Sequence, residues 1–510
     1  MKSRIQTQFG DFQTPIDLAY QVVELLRARG ISPVTVVEPT CGWGNFLVAS
    51  INTFGGQVKY FGFDVNSEHI NAAHQNIANL DTLPCELKCE DFYDKDWNGF
   101  FYSLPEDLLV IGNPPWVTNA ILGSLGRKNL PTKSNFQGHK GFEAKTGKAN
   151  FDVSEWMLIR LLESLQGKKA TVAMLCKTTA ARKVLKYCWK RGFDIGDSTL
   201  YTIDAKRHFG VSVDACLLVV QTGETTQCKT ASVYADLSCT SRISDFGVYR
   251  DELVSDIEAF KSVEELDGIE YRKWRSGVKH DAVKIMELEP SGNEWVNGLG
   301  ERCMIESSHL FPILKSSNLA NGQLEPSKYV ILTQRKTTDD TSAISVNAPK
   351  TWQYLLDHCD NLDRRKSSIY TKRPRFSIFG VGSYTFSPWK VAISGLYKNP
   401  VFRVIGSVKG KPITLDDTCY FIPCESKEEA VFFGFLLNSK VAQSFVKSLI
   451  FPDSKRPITI DVLKRIDLKK LSERLNYEEE ATSYLENAVF ESGQQKLLVY
   501  EDEETYRAGI

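Results

Sequence analysis

Over the first 225 residues, short runs of consecutive apolar residues alternate with stretches in which apolar residues return every three or four positions. The runs are VTVVE (34–38), YFGFD (60–64), ELKCE (86–90), LLVIGN (108–113), ATVAML (170–175), LYTID (200–204) and ACLLVVQ (215–221). Their length and apolar content predict buried strands, and the stretches 66–79, 152–166 and 178–191 between them predict helices. Ahead of the first run, TPIDLAYQVVELLRARG (14–30) carries an apolar stripe of Leu18, Val22, Leu25 and Leu26. Thr14 is its expected N-cap, Pro15 lies in its first turn and Gly30 is its stop. Apolar strands joined by helices imply an α/β fold with a largely parallel sheet covered on both faces. Ligands of such sheets bind beyond the carboxyl ends of the strands, so chemistry is expected there.

The rhythm changes after residue 225. Residues 226–311 read as a connector and the start of a second domain. Residues 312–465 show short β-rich runs broken by Gly, Pro and Ser, as in RFSIFGVGSYTFSPWKVAISGLY, and predict a mostly β or α+β domain. Residues 466–510 read as an acidic, helical tail. The 510 residues allow two to four domains. A chain with 42% hydrophobic and 25% charged residues is neither disordered nor fibrous. No apolar run approaches the ~20 residues of a membrane helix, and the N-terminus lacks the apolar core of a signal peptide. The 12 cysteines show no CxxC, with Cys85/Cys89 and Cys419/Cys424 the closest spacings. Reduced thiols in a cytoplasm, no metal site and no membrane partner are the expectations.

The net charge of −1 hides a strong pattern. Residues 1–110 hold 7 basic and 14 acidic groups, whereas 111–225 hold 17 basic against 9 acidic and 312–465 hold 23 against 13. Two basic blocks inside a neutral protein keep a polyanionic partner open.

Four sequence features converge on the carboxyl edge of the first sheet. VTVVE runs into PTCGWGNF, where Gly42 and Gly44 allow a tight turn and a close approach to a ligand at the start of a helix. A Gly-x-Gly also suits dinucleotide binders, but Phe46 and Leu47 follow and the third Gly of that fingerprint is absent. Asp64 ends the second strand and can accept both ribose hydroxyls of an adenosine-containing cofactor, or cap the next helix. Asp91 follows the third strand, where it is either an exposed loop acid or the acceptor of an adenine amino group with Phe92 on the ring. The fourth strand delivers Asn113, Pro114, Pro115 and Trp116. The Asn113 side-chain carbonyl and the Pro114 carbonyl can together accept both hydrogens of an –NH2 group, orienting a poor nucleophile and drawing proton character from it. Trp116 offers a flat face to a planar ring.

In this order, the motifs resemble those of class I S-adenosylmethionine-dependent methyltransferases, within them the N-6 DNA methylase family. FQTP, VVEPTCGWGNF, FGFD, CEDF and GNPPW are similar to its cofactor and catalytic motifs in the gamma arrangement, over about residues 9–221. The resemblance implies a seven-stranded, mostly parallel Rossmann-like sheet with an antiparallel last strand, for which ACLLVVQ is the candidate. It implies S-adenosylmethionine held by Thr14, Pro15, Glu38, Pro39, Cys41, Gly42, Gly44, Asp64, Asp91, Phe92 and Asn113. It also implies catalysis by Asn113, Pro114, Pro115 and Trp116 on N6 of a flipped adenine in double-stranded DNA. Phe209, in KRHFGVSVDA, sits where the family places a base-stacking aromatic; its other reading is a core aromatic.

The basic segment 118–150, with Lys133 among six cations, reads as a solvated loop or as a loop closing over DNA phosphates. DRRKSSIYTKRPRF (363–376) packs six cations against one acid: Arg364, Arg365, Lys366, Lys372, Arg373 and Arg375. With Lys455 and Arg456 of FPDSKRPITI, they are the expected DNA contacts, and 312–465 the expected target-recognition domain. A separately encoded restriction endonuclease is a candidate partner. RNA adenine-N6, DNA cytosine-N4 and protein glutamine methylation remain as alternatives, as does an inactive specificity module.

Overall fold

The protein is described by a computed structural model covering residues 12–78, 80, 85–117, 152–223 and 228–485. The chain divides into two compact units, Met1–Ile257 and Glu258–Ile510.

The first unit is built on a ten-stranded sheet. Helix α1 (Ile16–Ala28) is followed by β1 (Thr35–Glu38), α2 (Asn45–Phe54), β2 (Lys59–Asp64), α3 (Ser67–Ala78) and β3 (Cys85–Cys89). Then come α4 (Trp97–Ser103), β4 (Leu108–Gly112), α5 (Val153–Ser164), β5 (Ala170–Lys177), α6 (Thr178–Arg191), β6 (Ile195–Ile203), α7 (Ala205–Phe209) and β7 (Ala215–Thr222). The elements foreseen from the apolar rhythm are therefore present, with ends displaced by a few residues. α4 and α7 were not foreseen, because seven and five residues are too short to show a helical period.

The strand order is β10-β9-β8-β6-β7-β5-β4-β1-β2-β3. β1 pairs in parallel with both β2 and β4, and β4 with β5. ACLLVVQ forms most of β7, which runs antiparallel between β5 and β6. The expectation of seven strands is corrected to ten. β8 (Thr230–Tyr234), β9 (Arg242–Tyr249) and β10 (Glu252–Val254) extend the sheet past β6, with β8 parallel to it. The first unit thus ends near residue 257, not 225, and Thr230–Val254 carries three strands of its sheet rather than a connector. These strands are mostly half-exposed and polar residues interrupt their apolar ones, so no unbroken apolar run marks them in the sequence. Structurally they cover what would otherwise be an open edge of β6.

β1, β4 and β5 are buried along almost their whole length. One face packs Val36, Leu109, Ile111, Leu175 and Leu217 against Leu18, Val22 and Leu26 of α1 and Phe46 and Leu47 of α2. Val37, Val110 and Val172 alternate with these and are also buried, as the strand period of two requires.

The second unit contains two sheets. One has the order β14-β13-β12-β16-β15-β19, formed by Arg302–Cys303, Glu294–Asn297, Glu287–Ser291, Lys328–Ile331, Leu310–Leu314 and Thr414–Leu415. The other has the order β11-β20-β17-β18, formed by Arg275–Ser276, Cys419–Cys424, Trp389–Ser394 and Arg403–Ile405. Of the β-rich run RFSIFGVGSYTFSPWKVAISGLY only WKVAIS is a strand. The helix Lys427–Leu437 packs on β17. The expected boundaries at 311 and 465 do not separate bodies, because β12 to β14 pair into the sheet of β15 and β16. Residue 466 likewise bridges back to Asp267, and Arg465 pairs with Asp267 at 2.7 Å.

Leu217 is fully buried at the centre of the first sheet. Leu217→Ala is expected to destabilise the first unit by about 2–5 kcal/mol, read as an earlier transition in urea unfolding.

Candidate active site

The chain visits β1, β2 and β3 in order on one side and then crosses to β4 on the other side of β1. The loops leaving β1 and β4 therefore diverge and open a crevice at the carboxyl edge. Both loops carry residues singled out from the sequence. Glu38 ends β1, Asn113 follows β4, and a Cβ on Gly112 would lie 3.7 Å from Glu38 Cγ.

Asn113 is clamped from the N-terminal side. Its Nδ2 donates to the carbonyl of Phe12 at 3.1 Å and to Oγ1 of Thr14 at 3.2 Å. A carbonyl can only accept, so the first contact fixes which end of the carboxamide is nitrogen. Oδ1 faces the other way, shut from solvent and without a hydrogen-bond partner among the described residues. The segment 12–14 also grips the loop after β1. Gln13 Oε1 accepts from the Trp43 N–H at 3.0 Å, and the Thr14 carbonyl accepts from Asn45 Nδ2 at 2.7 Å. Thr14 does not cap α1, contrary to expectation: Pro15 takes the N-cap position and no side chain caps there. The Thr14 hydroxyl is directed to Asn113 instead. The carbonyl of Phe12, Gln13 and Asn45 escaped sequence reading, since nothing in a run of residues shows what a distant loop will touch.

Gly42 and Gly44 both have left-handed backbones, φ +49° and +76°. A Cβ on Gly42 would lie 2.3 Å from Gln13 Oε1 and would displace that amide, on top of the strain of a left-handed backbone. Asp64 joins this loop to the next: Oδ2 accepts from the Gly42 N–H at 2.9 Å and Oδ1 from the Asn66 N–H at 2.8 Å, with His69 Nδ1 at 3.3 Å. It does hold the turn into α3, and Oδ2 keeps a lone pair for a further donor. Cys41 is buried and its thiol pKa is pushed up by burial, then by Glu38 and Asp64. Glu38 is almost fully buried, and Oε2 has no partner among the described residues. Burial raises its pKa well above the ordinary value, against a smaller lowering by a backbone hydrogen bond from Leu47. Asp91 is half-buried and accepts from the Tyr93 N–H at 2.9 Å. Phe92 is buried, 5.0 Å from the Trp97 ring and 6.1 Å from that of Trp156.

The two aromatics expected to present faces do not do so in this structure. Trp116 is 5% exposed and Phe209 2%, with ring centroids 5.0 Å apart, edge to face. Phe12 completes a trio at 6.3 Å and 6.0 Å, and Trp116 Nε1 donates to the Leu175 carbonyl at 3.2 Å. The positions are the foreseen ones, but the rings cover each other, so Phe209 sits here as a core aromatic. The described ends of the basic insertion meet beside them: the Val153 N–H donates to the Val117 carbonyl at 2.8 Å, and Lys177 pairs with Asp152 at 2.6 Å. Residues 118–150, Lys133 included, lie outside the described residues.

The expected DNA-contact cations of the second unit stand in three kinds of surroundings. Arg365 is half-buried, donating to the carbonyls of Leu362, His280 and Ser377 at 2.8–3.2 Å and lying 3.8 Å from the Tyr370 ring centroid. These contacts brace its own fold. Arg375 is held by Asp363 at 2.7 Å and Arg456 by Asp417 at 3.3 Å. Both pairs are open to solvent, where such bridges are weak enough to exchange for a phosphate. Arg364, Lys366, Lys372 and Lys455 are exposed, and Arg373 lies half-exposed, 5.9 Å from the Phe379 ring. Among the described residues no group of acids, histidines and cysteines could hold a metal, and no helix is long and apolar enough to cross a membrane.

No protein-family model matches the chain. The chain is 42% identical over 471 residues to the Type II methyltransferase M.NspV of Nostoc sp., covering 92% of this chain and 98% of that one. It is 28% identical over 153 residues to the Type II methyltransferase M.BanIII of Aneurinibacillus aneurinilyticus, 26% of each chain. Among solved structures, the Type IIL restriction-modification enzyme MmeI in complex with DNA aligns with 91% of this chain and 66% of its own, at 11% identity and a TM-score of 0.48.

Two outcomes follow from these environments. The raised pKa of Glu38 makes its ionisation costlier in the folded chain than in the unfolded one. That penalty is absent at pH below the ordinary value near 4.5 and grows as pH rises. Glu38→Gln is therefore expected to raise the urea midpoint at neutral pH, with the gain vanishing in acid. Arg365→Ala removes charged donors from buried carbonyls and is expected to cost about 1.5–3 kcal/mol, whereas Lys366→Ala leaves the midpoint unchanged.

Proposed function

The chain belongs to the Type II methyltransferases, and from that premise we propose that it carries a methyl group from S-adenosylmethionine directly to N6 of an adenine swung out of duplex DNA. The observation that carries this reading is Asn113: a carboxamide fixed through its nitrogen, with an unpartnered Oδ1 on a rigid Asn-Pro-Pro loop.

The residues at the crevice suit the cofactor. The unpartnered Oε2 of Glu38 is a buried acceptor awaiting a donor or a cation. Asp64 and Asp91 provide carboxylates for hydroxyl and amino groups, and the glycines at 42 and 44 keep the loop free of side chains. Bound there, S-adenosylmethionine supplies an electrophilic methyl group. An exocyclic amine is a weak nucleophile because its lone pair is delocalised into the ring. Asn113 Oδ1 accepts one of its N–H bonds, and the carbonyl of Pro114 is placed by sequence to accept the other. These acceptors turn the lone pair out of conjugation and stabilise the positive charge developing on nitrogen, preorganised rather than reoriented at the moment of reaction. No covalent intermediate with the enzyme is needed. After transfer the cofactor would be left as its neutral thioether, and the surplus N6 proton would pass to water.

A flipped base costs a few kcal/mol in lost stacking and pairing. Contacts with Trp116 and Phe209, worth ~1–3 kcal/mol per stacked ring, offset that cost once the two rings part to admit the base. The exposed cations Arg364, Lys366, Lys372 and Lys455 are proposed to hold phosphates, with Arg373, Arg375 and Arg456 reaching the backbone as their present contacts are exchanged. Thr14, Pro15, Pro39, Cys41 and Phe92 complete the proposed cofactor surround.

Transfer of tritium from labelled cofactor to duplex DNA, RNA and protein, followed by nucleoside analysis, tests the reading. Label is expected in N6-methyladenine. Label only in N4-methylcytosine, in RNA or in glutamine overturns it. Asn113→Ala is expected to lower turnover by at least ~100-fold while cofactor affinity survives.

A further inference from the structure

We infer that the outward face of α6 is a phosphate-holding surface for the stretch of duplex that flanks the target base. The inference rests on the reading of duplex DNA as the substrate, and concerns a face of the first unit outside the crevice.

α6 carries Arg182, Lys183, Lys186, Lys190 and Arg191 and no acidic residue. Ala180, Ala181, Val184, Leu185, Cys188 and Trp189 bury its other side. A helical period of about 3.6 then puts Lys183, Lys186 and Lys190 on one exposed stripe, with Arg182 half-exposed at its margin. Like charges three and four residues apart repel, and acids at the same spacing relieve that repulsion. Other helices of the chain use such acids: Arg27 pairs with Glu24, Arg160 with Glu163 and Lys261 with Glu258. On α6, Lys183 meets the buried Glu155 of α5 at 3.4 Å. Lys186 and Lys190 have no acid partner among the described residues. A helix face that leaves its repulsion uncompensated fits an occupant that brings the negative charge itself.

The place of α6 in the fold selects that occupant. β5 ends at Lys177 on the carboxyl edge, and α6 starts at the next residue. The Leu175 carbonyl holds Trp116 Nε1, so the helix begins beside the rings of Trp116 and Phe209. From there its 14 residues run about 21 Å along β5, β6 and β7. Duplex DNA rises about 3.4 Å per base pair, so this length spans about six pairs beyond the target base. Contacts of this kind position the duplex and carry no sequence information. Lysine suits the task, because its ammonium group is a point charge on a flexible stem and needs no fixed geometry.

The test uses the full chain and a fluorescein-labelled, random-sequence DNA duplex, with affinity read by anisotropy over a series of salt concentrations. For the double variant Lys186→Gln with Lys190→Gln, affinity is expected to fall roughly 10-fold, and the slope of log affinity against log salt to lessen by about 2. In methyl transfer to unmethylated bacteriophage DNA, KM is expected to rise about 10-fold while kcat stays within about twofold. Lys186→Arg with Lys190→Arg is expected to keep the wild-type slope, since the charges remain. Lys59→Gln with Lys88→Gln removes equal charge from β2 and β3, at the far end of the sheet. That control is expected to change the slope by less than about 0.5. An unchanged slope in the α6 variant overturns the inference, and so does an equal loss in the control, which would assign the effect to net charge. A slope lessened on transfer RNA but not on duplex DNA gives the face to RNA and overturns it also. If wild-type protein labels no DNA, the functional reading falls, and the salt slope still decides whether α6 holds the duplex.

Discussion

The crossing of the chain from β3 over β1 to β4 is the constraint on which the site depends. Parallel pairing of β1 with β4 aligns their carboxyl ends, while the crossover sends their following loops apart. Glu38 and Asn113 become neighbours for this reason alone, although 74 positions separate them in the sequence. The crevice is not a cavity cut into a core. It is the place where a parallel sheet with helices on both faces has nothing left to cover its edge.

Among the described residues, two acceptors at that edge are left without partners, Glu38 Oε2 and Asn113 Oδ1. A buried acceptor without a donor costs the fold on the order of 1–3 kcal/mol. Such costs concentrate where function requires a group to be ready in advance. Here both unsatisfied atoms lie on loops whose other contacts are numerous: Gln13, Thr14, Asn45 and Asp64 tie the loops to each other. The rigidity supplied by these bonds keeps the unpartnered oxygens from collapsing onto nearby donors.

Charge is arranged by the same division of labour. The acid-rich first 110 residues place Glu38, Asp64 and Asp91 at one edge, and the basic blocks lie further along the chain. The cations of 363–376 are not equivalent, however. Arg365 spends its guanidinium on carbonyls of its own unit, and Arg375 is engaged by Asp363. A count of basic residues overstates the surface charge available to a polyanion, because arginine is also a good buried fork for carbonyl groups.

Local pattern was enough to reveal the strands and the longer helices of residues 14–222, though not α4 and α7, since hydrophobic period is a property of neighbours in sequence and β1, β4 and β5 are buried on both faces. It was also enough to bring out the order of the glycine loop, the acids and Asn-Pro-Pro-Trp. It missed β8 to β10, whose half-exposed strands mix polar with apolar residues and show no unbroken apolar run, and so misplaced the boundary at 225. Contacts made between distant segments were invisible for a different reason: whether the Thr14 hydroxyl caps its own helix or reaches Asn113, and whether Phe209 offers a face or covers Trp116, depends on which loops the sheet brings together. The sequence determined which residues could do the chemistry; only the tertiary structure decided which atoms of those residues were already taken, because hydrogen bonds and ring contacts are made in space between groups that the chain itself keeps far apart.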